Sequence, residues 1–347
     1  DLPDKDYVWM QLSGAWSRER YVKNRILEQG ITAIDSMRGN SSHEHNPFMV
    51  LKRPNAGETS GEVIGFSLIY SGNFRMQAEV DTHDVTRITV GINPDRFDWK
   101  LEPGEEFQTP EAVMVYSDQG LNRMSQTFHR LYAKRLARGY WRDRPRPILN
   151  NNWEATYFTF DENKLIGLID EATKLGVDMF LLDDGWFANK YPRSSDHQGL
   201  GDWEETVTKL PNGIGKLVKE ATDRGIKFGL WIEPEMVNPK SELYEKHKDW
   251  VIHLPNRDEY YFRNQMVLDL TNPKVQDYVY GVVDNLMTKY PGIAYFKWDC
   301  NSPITNIYSP YLKDQQSHLY IEYVRGLYNV LERIKQKYPN LPMMLCS

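Results

Sequence analysis

At 347 residues, with 40% hydrophobic and 26% charged, the chain has the size of two domains and the profile of a soluble globular protein. Its net charge of -6 gives no electrostatic footprint for nucleic acid or an anionic membrane, and no apolar run approaches the ~20 residues that cross a bilayer. Two cysteines, Cys300 and Cys346, are too few for a disulfide framework and read as free thiols of a cytoplasmic protein; with Asp1 first, any targeting peptide is expected to be absent or already removed.

The first half of the chain is short alternating runs punctuated by turn residues. "EVIGFSLIYSGNF" and "TRITVGINP" read as strands, with Ser71-Gly72-Asn73 and Asn93-Pro94 as turns, and "LEPGEEFQTPEAVMVYS" continues the pattern after Pro103-Gly104. Residues 1–118 are therefore expected to be antiparallel β, part of a sandwich. Leu121, Met124, Phe128, Leu131, Tyr132 and Leu136 then fall at helical spacing, so residues 120–138 are expected to form a linking helix. "WRDRPRPILNN" marks the domain boundary, which places helix and linker over 119–145 and a second domain over 146–347.

From Ile148 the texture changes to strands alternating with helices. The strands are "ILNNNW", "MFLLDD", "KFGLWIEP", "MVLDL", "AYFKWD" and "PMMLCS". Helices are expected over 162–175 from a capping Asp161, over 214–224, from Pro273 to about 289, and over 313–337. Near-continuous apolar strands separated by helices indicate a parallel sheet covered on its faces. No glycine-rich phosphate loop follows the first strand, and nearly every strand ends in polar groups. Both features favour a (β/α)8 (TIM) barrel of which about six strands are present.

In a barrel those strand ends converge on one mouth: Trp153-Glu154, Asp183-Asp184, Trp231 with Glu233 and Glu235, Asp269, Lys297 with Asp299, and Cys346. Two adjacent acids before Gly185 exceed what one helix cap needs, whereas Asp269, just before Thr271 and Asn272, is as well explained by a cap. Residues i and i+2 of a strand share a side, so Lys297 and Asp299 both face the interior. A carboxylate beside a cation is kept charged, the state a nucleophile requires. Carboxylates with tryptophans and few histidines fit glycoside hydrolysis, where two carboxyl groups flank the scissile bond. The competing reading is a divalent-metal barrel with Asp183, Glu233 and Asp269 as oxygen ligands; Lys297 and Arg263 close by speak against it. His43-Glu44-His45, the other metal-like cluster, reads as a surface loop.

"LDDGWF" (182–187), "GLGDW" (199–203), "GLWIEPEMV" (229–237), "RNQMVLD" (263–269) and "FKWDCN" (296–301) together resemble the α-galactosidases of glycoside hydrolase family 36. "LSGAWSRER", "SSHEHNPF", "GFSLIYSGNF", "LEPGEEFQTPEAVMVYSDQGLN" and "NNWEATYF" are similar to the same family, so the resemblance covers essentially the whole chain. It implies a retaining α-galactosidase with a β-sandwich before the barrel, acting on melibiose- and raffinose-type oligosaccharides through a covalent galactosyl-enzyme. Asp299 is then the nucleophile and Lys297 holds ring hydroxyls. Asp183 and Asp184 accept from O4 and O6. Trp153, Trp231, Arg263, Asn301 and Cys346 match further substrate-binding positions. No metal or cofactor is implied; the expected partners are α-galactosides, without nucleic acid or membrane, and the full-length protein is expected to be a homo-oligomer. Family members are about twice as long. The chain thus reads as a fragment, truncated at both ends, with the family's acid/base aspartate beyond Ser347. A galactosyltransferase of the same family and a non-catalytic galactoside-binding fragment are the alternatives.

Overall fold

The computed structural model describes residues 1–346; Ser347, the last residue of the final expected strand, lies outside them. The chain divides into two compact units, Asp1–Arg138 and Gly139–Ser347.

The first unit is built from β1 (Val8–Ala15), β2 (Arg18–Ile26), β3 (Gly30–Asp35), β4 (His45–Lys52), β5 (Val63–Ile69), β6 (Phe74–Val80), β7 (Thr86–Ile92) and β8 (Glu111–Ser117). The strands pair antiparallel in a five-stranded sheet, β2-β1-β4-β5-β8, and a three-stranded sheet, β3-β6-β7. Period-two alternation gives each sheet an apolar face. In β6, Phe74, Met76, Ala78 and Val80 are buried while the residues between them are not. They pack with Ile34 of β3 against Trp9, Met49, Leu51 and Leu68 of the larger sheet, forming one core between the two layers. His45 opens β4 and its Nδ1 lies 2.8 Å from Ser13 Oγ; Gln11 Nε2 donates to that hydroxyl and Trp9 Nε1 to Gln11 Oε1. His45 thus belongs to a polar row along the sheet, which corrects the loop reading for that residue; His43 and Glu44 lie in the bend before β4.

A helix, α1 (Gly120–Leu131), covers the other face of the larger sheet and runs on into a π-turn at Tyr132–Leu136. Met124 and Phe128, one turn apart, pack on Val50, Val63 and Val115. The approach is close because β5 has Gly65 beneath the helix. A Cβ there would lie 2.6 Å from the Phe128 ring edge and nearer still to Met124 Sδ.

The second unit repeats strand and helix. It contains β9 (Leu149–Asn151), α2 (Trp153–Thr156), α3 (Glu162–Lys174), β10 (Met179–Leu182), α4 (Gly213–Asp223), β11 (Lys227–Ile232), β12 (Met236–Val237) and α5 (Glu242–Lys246). There follow β13 (Met266–Val267), α6 (Pro273–Lys289), β14 (Ile293–Asp299), α7 (Leu319–Lys337) and β15 (Met343–Cys346). Five strands form one parallel sheet in the order β9-β10-β11-β14-β15. The order advances without reversal, as in a barrel; a doubly wound sheet would reverse at a switch point. The unit is a partial (β/α)8 barrel. α3 is capped by Asp161, which accepts from Lys164 N at 2.8 Å, and α6 by Asn272, with Pro273 at its first turn. α7 starts later than its spacing suggested, after a 3-10 turn at Gln316–His318.

One expected strand belongs elsewhere. "MVLDL" pairs antiparallel with Met236–Val237 inside the connection between β11 and α6, so the parallel sheet has five strands where about six were expected. A short apolar run signals burial but not which sheet it joins. No helix among the described residues is long and apolar enough to cross a membrane.

Candidate active site

All five parallel strands end on the same side, and their registers align the polar residues there. Trp231 of β11 stands beside Lys297 of β14, and Asp299 beside Cys346 of β15. Alternation along β14 sends Lys297 and Asp299 one way and Trp298 the other, where Trp298 Nε1 donates to Glu235 Oε2 at 2.8 Å and Tyr323 Oη to Glu235 Oε1 at 2.7 Å. Glu235 is thus an anchor between β14 and α7, away from the mouth.

Asp183 follows β10 directly. Its Oδ2 accepts from Lys297 Nζ at 2.8 Å and from Asn151 Nδ2 at 2.6 Å, and its own N–H donates to Asn152 Oδ1 at 2.7 Å. The Lys297 ammonium is therefore paired with Asp183 rather than bonded to Asp299. Burial works against its charge, and Asp183, with Asp299 further off, more than restores it, leaving its pKa raised. Asp184, whose N–H donates to Asp183 Oδ1 at 2.9 Å, has a different partner for its carboxylate. Arg193, 0% exposed, grips it with Nε on Oδ1 at 2.9 Å and Nη2 on Oδ2 at 2.8 Å, while Nη1 bonds Asn238 Oδ1. Gly185 follows at φ +108°, a conformation L side chains rarely adopt, and a Cβ there would press within 3.2 Å of Phe158 and Phe160. Lys209 stabilises this turn by donating to the carbonyls of Phe158, Gly185 and Arg193 at 2.7–3.0 Å; burial pushes its pKa down to about 8.

Asp299 is 8% exposed. Trp231 Nε1 donates to its Oδ2 at 3.2 Å and Cys300 N to its Oδ1 at 3.1 Å, so each oxygen has one fixed donor and its orientation is set. Burial pushes the Cys346 thiol up to about 11, and the nearby Asp299 charge adds to the shift while Lys297 opposes it. Trp231 is buried with its ring parallel to Phe187 at 6.1 Å, and its carbonyl accepts from Trp186 Nε1. Trp153 begins α2, its N–H bonded to Asn151 Oδ1, its ring edge-on to Phe158. Asn301 donates its N–H to Glu233 Oε1 at 2.8 Å, while its side-chain Nδ2 is buried without a partner. Arg263 is exposed, on a loop where it and Asn264 both have positive φ.

The structure therefore gathers Asp183, Lys297, Asp299, Trp231 and Cys346 at one mouth. Asp269 is apart from them, its carboxylate held by Thr271 and Ser309 while Asn272 caps α6. Asp183, Glu233 and Asp269 do not converge, and no group of three or more His, Cys, Asp or Glu among the described residues could hold a metal ion. The sequence reading passed over Asn151, Asn152, Arg193 and Lys209. Asn151 and Asn152 end β9 as other mouth residues end their strands, which was a usable signal; Arg193 and Lys209 sit in long connections with no periodicity to mark them.

A sandwich followed by a barrel with paired carboxylates and tryptophans at its mouth has the architecture of a carbohydrate-active barrel protein. The family model for the glycosyl hydrolase family 36 N-terminal domain matches residues 1–102 and that for melibiase matches residues 106–347. The chain belongs to this family. It is 51% identical over its whole length to α-galactosidase AgaA of Geobacillus stearothermophilus and 45% identical to α-galactosidase Mel36A of Lactobacillus acidophilus, covering 47% of each. It is likewise similar to the crystal structure of AgaA, with a TM-score of 0.96 at 50% identity over 100% of this chain and 48% of that one, and to an AgaA variant solved in complex with raffinose. The chain spans about half the length of the curated relatives it matches.

Proposed function

We propose that this chain carries the sandwich and the nucleophile-bearing part of the barrel of a retaining α-galactosidase, with Asp299 as nucleophile. The observation that carries the reading is the placement of Asp299 at the mouth, oriented by Trp231 Nε1 and Cys300 N and flanked by the Asp183–Lys297 pair. An Asp299 oxygen would attack the anomeric carbon opposite the leaving oxygen. The glycosidic bond breaks as that oxygen takes a proton, and water later displaces the ester. Asp183 and Lys297 supply a fixed acceptor and donor for galactose hydroxyls. A site built to bond an axial 4-hydroxyl rejects the epimer that cannot reach it. The unpartnered Asn301 Nδ2 is a further donor available to a sugar. Asp183, Asp184 and Glu233 are each tied to cations or amides, so the general acid is expected from outside these residues.

The relatives named α-galactosidases and the raffinose-bound structure support α-galactosides as substrates. The test is hydrolysis of melibiose and raffinose by the full-length protein, with the anomer of the released galactose followed by NMR. First-formed α-galactose is expected; β-galactose would exclude the covalent route.

A further inference from the structure

Glu233 lies two residues beyond Trp231 and is 0% exposed. It joins two segments remote in sequence. Its Oε1 accepts from Asn301 N at 2.8 Å, two residues past Asp299, and its Oε2 accepts from Gln265 Nε2 at 3.0 Å. Gln265 is 1% exposed and follows Arg263 and Asn264, with φ of +52° and +59°. Consecutive non-glycine residues in this region persist only where surrounding contacts over-determine them. Two contacts do so here: Glu233 on Gln265, and Asn238 Nδ2 on the Asn264 carbonyl at 2.8 Å.

We propose that Glu233 is a positioning residue, a strut that sets the Arg263 loop against the Asp299–Asn301 segment in the proposed galactoside site. The inference rests on that functional reading. The groups facing Glu233 are Asp299 and Cys300 at the end of β14, Arg263 from its loop and Arg193 from the connection after β10. Burial, and then the Asp299 charge, push its carboxyl up to about 8, against the pull of Arg263, Asn301 N and Arg193. The strut is thus mostly an uncharged acid at neutral pH and adds no second negative charge beside Asp299. Gln265 Oε1 is buried without a partner. With its amide turned over, Gln265 presents that oxygen to the acid's proton. A glutamine at 233 reproduces the neutral acid's shape, with an acceptor for Asn301 N and a donor for Gln265; an alanine leaves both partners unpaired.

The experiment is steady-state kinetics on an aryl α-galactoside with the full-length protein and variants matched for folding by circular dichroism. Glu233→Ala is expected to lower kcat/KM by ~10²-fold and Glu233→Gln to stay within ~10-fold of the parent, as for loss and retention of buried hydrogen bonds. Gln265→Met cuts the strut on the Arg263 side alone and should raise KM with kcat held. Glu233→Ala combined with Arg263→Ala should be no worse than the more damaging single change, because the two act through one contact network. Parental kcat/KM in Glu233→Ala, or additive effects in the double variant, would overturn the strut while leaving the functional reading intact. Where Glu233→Ala does not fold, Gln265→Met with unchanged KM overturns it. An inactive parent would overturn the functional reading and the strut with it.

Discussion

Asp184 holds the buried Arg193 guanidinium with both carboxylate oxygens. Replacing it therefore breaks a buried ion pair. Breaking a buried pair from one side costs ~3–5 kcal/mol, because the remaining charge is stranded. Asp184→Asn is expected to lower the melting temperature as well as kcat/KM, whereas Lys297→Met, at a less buried side chain whose partner Asp183 keeps the Asn151 donor, should lower kcat/KM with a smaller loss of stability. Equal melting temperatures for Asp184→Asn and the parent would mean that Arg193 finds another partner. Glu233 gives a pH signature of its own. Its folded pKa of about 8 lies above the ~4.3 of a free glutamate. Between those values the folded state retains a proton that the unfolded chain has released, so this group makes stability fall as pH rises across that window. Glu233→Gln removes the term. The difference in melting temperature, variant minus parent, should grow from pH 5 to pH 8, and a constant difference would contradict the burial of an uncharged acid.

Among the elements, the packing of α1 on β5 depends on the missing side chain of Gly65. Gly65→Val would force Met124 and Phe128 out of place, and overpacking of this kind costs ~1–3 kcal/mol. Urea unfolding should show a lower midpoint for Gly65→Val; an unchanged midpoint would mean that the helix can lift from the sheet at no cost. At this scale the sequence was legible where periodicity and punctuation agreed. The runs "EVIGFSLIYSGNF" and "TRITVGINP" announced strands, Asp161 and Pro273 announced helix starts, and i, i+2 spacing placed Lys297 and Asp299 on one side. "MVLDL" misled because an apolar run reports burial, and burial in a connecting loop looks the same as burial in a sheet. The partners of the site acids were hidden for another reason. Arg193 reaches Asp184 across nine residues of irregular loop, and Lys297 meets Asp183 across 114, so neither pairing leaves a local pattern.

For the whole molecule, the parallel sheet is open: among the described residues β9 and β15 each pair on one side only. Unpaired edges invite pairing with other chains, so the 347-residue chain expressed by itself is expected to self-associate. A monodisperse monomer in sedimentation would show that these edges are protected. The same chain is expected to leave raffinose intact, since Asp183, Asp184 and Glu233 are already bound to cations or amides and general acid help is worth ~10²–10⁴-fold. The central claim, that Asp299 forms the covalent bond, is tested most directly by labelling the full-length protein with a mechanism-based α-galactoside inactivator and mapping the modified peptide by mass spectrometry. The predicted result is one galactosyl adduct on Asp299, lost in Asp299→Ala; an adduct on Glu233, Asp269 or Asp183 would contradict it.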